Sequence, residues 1–147
     1  MPSIIPSYVY SLFAALIVGA IIVYSCSIST LNIKNEAEQQ QLTNIDQYVA
    51  TQCMTLLSYT TEDNQNSTQF LAIPSEVGSQ QYWICIENDS SGAWVESGLG
   101  TTVTPSHPDI YIPARIAASG VFISDSGRAF LTCCIKNQTV TLTLTGE

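Results

Sequence analysis

Residues 9–28 read VYSLFAALIVGAIIVYSCSI and contain no charged side chain. Coiled into an α-helix, a stretch of this length rises about 30 Å, the thickness of a bilayer's hydrocarbon core. The uncharged region extends beyond it in both directions, because the first charge in the chain is Lys34. Pro2 and Pro6 stand before the run, where a missing N–H costs a helix little. Ser3 and Ser7 are placed to cap its start. Tyr8, Tyr10 and Tyr24 flank it in the manner of an interfacial aromatic belt. Ala14, Ala15, Gly19 and Ala20 supply small side chains that permit close approach of another helix. A secretory signal carries a basic segment ahead of a shorter apolar run. Neither feature is present here, so the segment is expected to be retained in the working protein.

The helical pattern continues past Lys34. NEAEQQQLTNIDQYVATQCMTLLSY, from Asn35 to Tyr59, has no Gly or Pro and is rich in helix formers. Leu42, Ile45, Val49, Cys53 and Leu56 recur at three- and four-residue steps, an amphipathic stripe. Asn44, Asp46, Gln47 and Gln52 are read as the opposite, polar face. The expectation is one helix of about fifty residues, roughly 80 Å long. An all-round apolar helix of this kind does not stand alone in water. It needs lipid or neighbouring copies around it.

From Ser58 the period changes. TTEDNQNST (60–68) reads as a polar loop, and short β-like runs follow, separated by turn signals. The candidate strands are Gln69–Ile73, Gln81–Glu87, Ala93–Glu96, Asp109–Ile112, Gly120–Ser124, Arg128–Lys136 and Thr139–Thr145. NDSSG (88–92) and DSG (125–127) are turns, and Asn137-Gln138 reads as a hairpin loop. Thr139, Thr141, Thr143 and Thr145 alternate with Val140, Leu142 and Leu144, which puts one face in water and one in a core. The core is expected from Trp83, Cys85, Trp94, Phe122, Phe130, Leu142 and Leu144, together with the helical stripe. The fold class is therefore α+β: a long hydrophobic N-terminal helix followed by a small antiparallel, sandwich-like β domain. The helix is assigned to 1–58, with an apolar part at 4–30 and an amphipathic part at 31–58, and the β domain to 59–147.

Composition narrows the function. Of 147 residues, 11% are charged and the formal net charge is −8. The four basic residues, Lys34, Arg115, Arg128 and Lys136, form no run, which argues against a nucleic-acid partner and against docking on anionic headgroups. A surface of hydroxyls and amides suggests an exported protein. Asn66, Asn88 and Asn137 each open an N-x-S/T sequon in a predicted loop or turn. Of the five cysteines, Cys26 lies in the apolar run, and Cys53, Cys85, Cys133 and Cys134 fall in the domain. Four cysteines allow three pairings. Cys85 with Cys133 or Cys134, and Cys53 with the other, would tie helix to sheet; buried free thiols are the alternative. His107 is the lone histidine, no C-x-x-C is present, and no catalytic motif is found. Turn-forming is the favoured role for Asp89, Asp109 and Asp125. No enzyme, cofactor, metal site or small-molecule substrate is expected.

Ile4-Ile5-Pro6, the run Ser11–Tyr24 (SLFAALIVGAIIVY) and the helical stretch Glu36–Leu57 resemble the N-terminal region of archaeal type IV pilins and archaellins. Ile5 stands where bacterial type IV pilins carry Glu, as is compatible with the archaeal kind. The resemblance implies a homopolymeric filament subunit, inserted in the membrane before assembly. N-terminal helices would bundle in the filament core and β domains would form its sheath. Leu12, Leu16, Ile17, Ile21 and Val23 would then be core contacts, with Gly19 allowing close approach. The other reading of the same residues is a single-pass membrane anchor carrying an extracellular β domain with a binding or scaffolding role.

Overall fold

A computed structural model describes residues 4–63, 65–104, 109–112, 116–136 and 139–147. One helix, α1 (Ile4–Asp63), precedes seven strands: β1 (Ser67–Leu71), β2 (Tyr82–Asn88), β3 (Ala93–Leu99), β4 (Ile110–Ile112), β5 (Ala117–Ile123), β6 (Ala129–Lys136) and β7 (Thr139–Gly146). The α+β class is as expected, and each expected strand overlaps an observed one. The helix runs further than expected. It takes in Thr60–Asp63, which the polar composition marks as loop, because Thr60 is buried and the Thr61 hydroxyl donates to the Leu57 carbonyl. The chain divides into two compact units, Met1–Ala37 and Glu38–Glu147. The amphipathic part of α1 thus belongs with the sheet rather than with the apolar segment.

The seven strands form one sheet in the order β1-β6-β7-β5-β2-β3-β4. The second layer of the domain is α1, not a second sheet. Six of the neighbouring contacts come from hairpins and crossovers: five pairs are antiparallel, and β5 with β7 is parallel. That parallel pair arises because β5 and β6 are joined by a tight turn yet lie one strand apart, with β7 filling the gap. At the turn, Ser126 N–H donates to the Ile123 carbonyl at 2.8 Å, and Gly127 takes φ +95°, a conformation that favours glycine. β6 and β7 pair antiparallel out to Lys136↔Thr139; Asn137 and Gln138, expected as their loop, lie outside the described residues.

The core lies between one face of the sheet and the helical stripe. Leu42, Ile45, Val49, Cys53 and Leu56 are all buried, as their spacing predicts. Opposite them come Tyr82, Ile84 and Ile86 from β2, Val95 from β3, Phe122 from β5, Leu131 and Cys133 from β6, and Leu142 and Leu144 from β7. Two corrections follow. On β2 the residues facing the helix are Tyr82, Ile84 and Ile86, so Trp83 and Cys85 lie on the other face. Trp83 is still buried, because it lies over Gly98, where an added Cβ would come within 2.6 Å of the indole. Trp94 and Phe130 also belong to the outer face and are half-buried. They pair there with exposed Tyr111 and Phe70, at ring-centroid distances of 6.3 and 5.9 Å.

Asp46 is the second correction. It is 2% exposed, not on the polar face. It stands four residues after Leu42 and three before Val49, inside the stripe by angle. Glu38 and Thr60 extend the same stripe as buried polar positions.

Candidate functional site

The feature that distinguishes this molecule is the surface of its first unit. Ile21, Ile22, Val23 and Tyr24 are consecutive, so together they sweep a full helical turn, and each is 58–70% exposed. No side of this stretch is sheltered. Leu12, Leu16 and Ile17, three of the expected assembly contacts, are as open as Ile21 and Val23. At Gly19 an added Cβ would meet nothing within 4 Å. The helix is long and apolar enough to cross a membrane, and none of its most apolar stretch is buried.

Its polar atoms suit an apolar setting. Ser27 Oγ donates to the Val23 carbonyl and Thr30 Oγ1 to the Cys26 carbonyl, both at 2.9 Å. Hydroxyls paired to the preceding turn need no water. Fifteen large hydrophobic side chains from Tyr8 to Ile33 stand exposed. At about 1.5 kcal/mol for each one sheltered, covering them is worth on the order of 20 kcal/mol. That exceeds the roughly 5–15 kcal/mol by which a domain is usually stable, so this surface dominates the molecule's solution behaviour.

Within the second unit the chemistry is concentrated at Asp46. Ser97 Oγ donates to Asp46 Oδ2 at 2.7 Å, while Oδ1 is buried with no hydrogen-bond partner. Burial pushes this carboxyl up to about 7; the Ser97 hydrogen bond opposes the rise, and the charges of Asp109 and Glu96 add to it. The same residue, Ser97, donates its backbone N–H to Asp109 Oδ2 at 3.3 Å. Sequence polarity hid this site, although helical spacing locates Asp46 in the stripe. No group of three or more His, Cys, Asp or Glu side chains gathers as metal ligands among the described residues. His107 lies outside them.

The cysteines separate by face. Cys53 and Cys133 are fully buried in the core cluster. Cys85 is on the outer face, where its thiol donates to Glu87 Oε1 at 3.4 Å. Burial first, then Glu87 and Glu96, push that thiol up to about 12. Cys134 is half-exposed beside Cys133, and Cys26 is exposed in the first unit. All five are free thiols in this structure.

Two of the three sequon asparagines are described. Asn66 is exposed and accepts the Ile135 N–H through Oδ1 at 3.3 Å. Asn88 ends β2, is exposed, and accepts the Ala118 N–H at 3.0 Å. Asn137 lies outside the described residues. Asp89 behaves as a turn former: its Oδ1 accepts from Ser91 N–H, Ser91 Oγ–H and Gly92 N–H. These bonds, led by the Ser91 hydroxyl, hold its carboxyl below the usual carboxylate range.

Compared with protein-family models, with curated proteins and with solved structures, the chain has no match in any of the three.

Proposed function

We propose that this chain is the non-enzymatic structural subunit of an extracellular filament of the type IV pilus kind. The apolar part of α1 bundles with the same part of sister copies in the filament core, and the β domains form the outside. The subunit is held in the membrane before it assembles, at the cell surface. The observation that carries this reading is the all-round exposure of the fifteen large hydrophobic side chains from Tyr8 to Ile33. One-sided exposure would call for a groove on a partner. Exposure around the whole circumference calls for an enclosing medium, which is either lipid or a bundle of like helices. Helical polymers built on heterologous contacts supply such a bundle without limit. The resemblance of Ile4–Pro6 and Ser11–Tyr24 to archaeal pilins favours the bundle.

Gly19 makes the test clean. Because an added side chain there meets nothing in its own chain, Gly19→Leu costs the isolated subunit nothing in packing and improves helix propensity. In the filament reading, it should reduce assembled material at least about tenfold, equivalent to roughly 1.4 kcal/mol per contact, while the β domain melts as before. Electron microscopy of material shed from cells is the readout. Regular filaments of the native chain that are lost in Gly19→Leu support the proposal. Native chain found only as detergent-extracted monomer overturns it in favour of a single-pass anchor. Intact mass of the same material measures whether Asn66, Asn88 and Asn137 carry glycans.

A further inference from the structure

The arrangement of the sheet bears on which cysteines can join. Cys85 on β2 and Cys134 on β6 share the outer face but are separated by β5 and β7. Three inter-strand steps put them about 14 Å apart, against the roughly 4.4–6.8 Å between Cα atoms that a disulfide spans. Cys133 and Cys134 are neighbours on one strand and point to opposite faces. Cys53 reaches only the core face, so the sheet itself lies between it and either Cys85 or Cys134. One combination remains. Cys53 and Cys133 are both fully buried in the same cluster. Cys133 lies against Thr60, two helical turns after Cys53 on the same stripe, and Cys133 adds to burial in raising the Cys53 thiol.

We propose that Cys53 and Cys133 form the one disulfide within the domain, a covalent tie between α1 and β6 made in an oxidising compartment. The oxidant is an external disulfide such as oxidised glutathione. A thiolate of the pair attacks one sulfur of that disulfide, giving a mixed disulfide and one released thiol. The second thiolate then attacks the mixed disulfide at the protein sulfur, closing the Cys53–Cys133 bond and releasing the second thiol. Two protein thiols are oxidised and one external disulfide is reduced to two thiols, which keep the protons. Timing follows from the surroundings. In the closed domain the Cys53 thiol is buried and pushed up to about 12, so it is protonated and unreactive at neutral pH. The bond forms while the chain is folding, and the closed core then shields it.

The experiment refolds the reduced full-length chain in detergent with a mixture of reduced and oxidised glutathione. Remaining thiols are alkylated and the chain is digested without reduction. The expected result is one linked peptide pair carrying Cys53 and Cys133, with Cys26, Cys85 and Cys134 alkylated. Because the bond closes a long loop, reduction should lower the melting midpoint by more than about 10 °C. Cys53→Ser should remove that sensitivity to reductant, while Cys85→Ser and Cys134→Ser keep the link. Cooperatively folded chain with Cys53 and Cys133 both alkylated, or linked to Cys85 or Cys134, overturns the assignment. Neither result touches the filament reading, which requires no disulfide.

Discussion

Ile17 and Val49 are aliphatic residues of the same helix, yet Ile17 is 59% exposed and Val49 0%. Backbone conformation does not separate them. What differs is the pattern around each. Val49 belongs to a stripe with polar residues on the other side, so one sheet face satisfies it. Ile17 is surrounded by apolar residues on every side, so nothing of limited extent can satisfy it. One stretch of α1 therefore builds a domain, and the other creates a demand that only lipid or other copies meet.

The largest expected effect separates the two stretches directly. Val49→Asp places an unpaired carboxylate in the core and should cost more than about 4 kcal/mol, enough to unfold the domain near room temperature. Ile17→Asp should leave the domain's thermal melt within about 0.5 kcal/mol of native and instead abolish sedimentable or membrane-bound chain. Near-ultraviolet circular dichroism and sedimentation read the two arms. A melt shifted equally by both variants would mean that Ile17 has a partner within its own chain.

A second test uses the one ionisable residue placed deep in the satisfied stripe. The unfolded chain loses the Asp46 proton near 3.8, while the folded chain holds it to about 7. As pH rises between those values the unfolded state releases its proton first. Stability is therefore fully present below 3.8, falls as pH climbs to about 7, and levels off above. Taken whole, the loss is roughly 4 kcal/mol. Asp46→Asn keeps an acceptor for Ser97 and cannot ionise, so it should match the native chain near pH 4 and exceed it at pH 8. Urea midpoints across that range decide the matter; parallel curves for the two proteins would sink the assignment.

Smaller effects probe the sheet alone. Gly120 has φ +137°, and a Cβ there would lie 2.2 Å from the Leu144 carbonyl oxygen. Gly120→Ala should force β5 from β7 and cost about 3 kcal/mol, read as a lowered denaturant midpoint. Phe130→Ala removes half of an outer-face aromatic pair and should cost only about 1 kcal/mol. A loss of several kcal/mol there would show Phe130 to be a core residue after all.

These positions also mark where sequence reading succeeds. Leu42, Ile45, Val49, Cys53 and Leu56 were legible because helical spacing is a local signal. The strand positions were legible because Gly, Pro, Asn and Ser punctuate them. Alternation, however, specifies a period and not which face turns inward. Size favours Trp83, Trp94 and Phe130 for the core, and the register places Tyr82, Ile84 and Ile86 there instead. Asp46 was misplaced because residue polarity outweighed its angle in the stripe. The parallel β5–β7 pair had no local signal, since it joins segments separated by a whole intervening strand. The exposed apolar surface was the most legible feature, because its composition alone excludes a one-sided burial. No arrangement of neighbours is inferable from it.

The strand latest in the sequence occupies the middle of the sheet, with β6 on one side and β5 on the other. Until Thr139–Gly146 arrives, β1-β6 and β5-β2-β3-β4 are two fragments with no hydrogen-bonded seam. A chain emerging from its N-terminus therefore cannot complete this domain ahead of its last segment. The topology keeps the polypeptide threadable through a narrow channel until the final residues have passed, and then lets a single insertion zip both fragments shut.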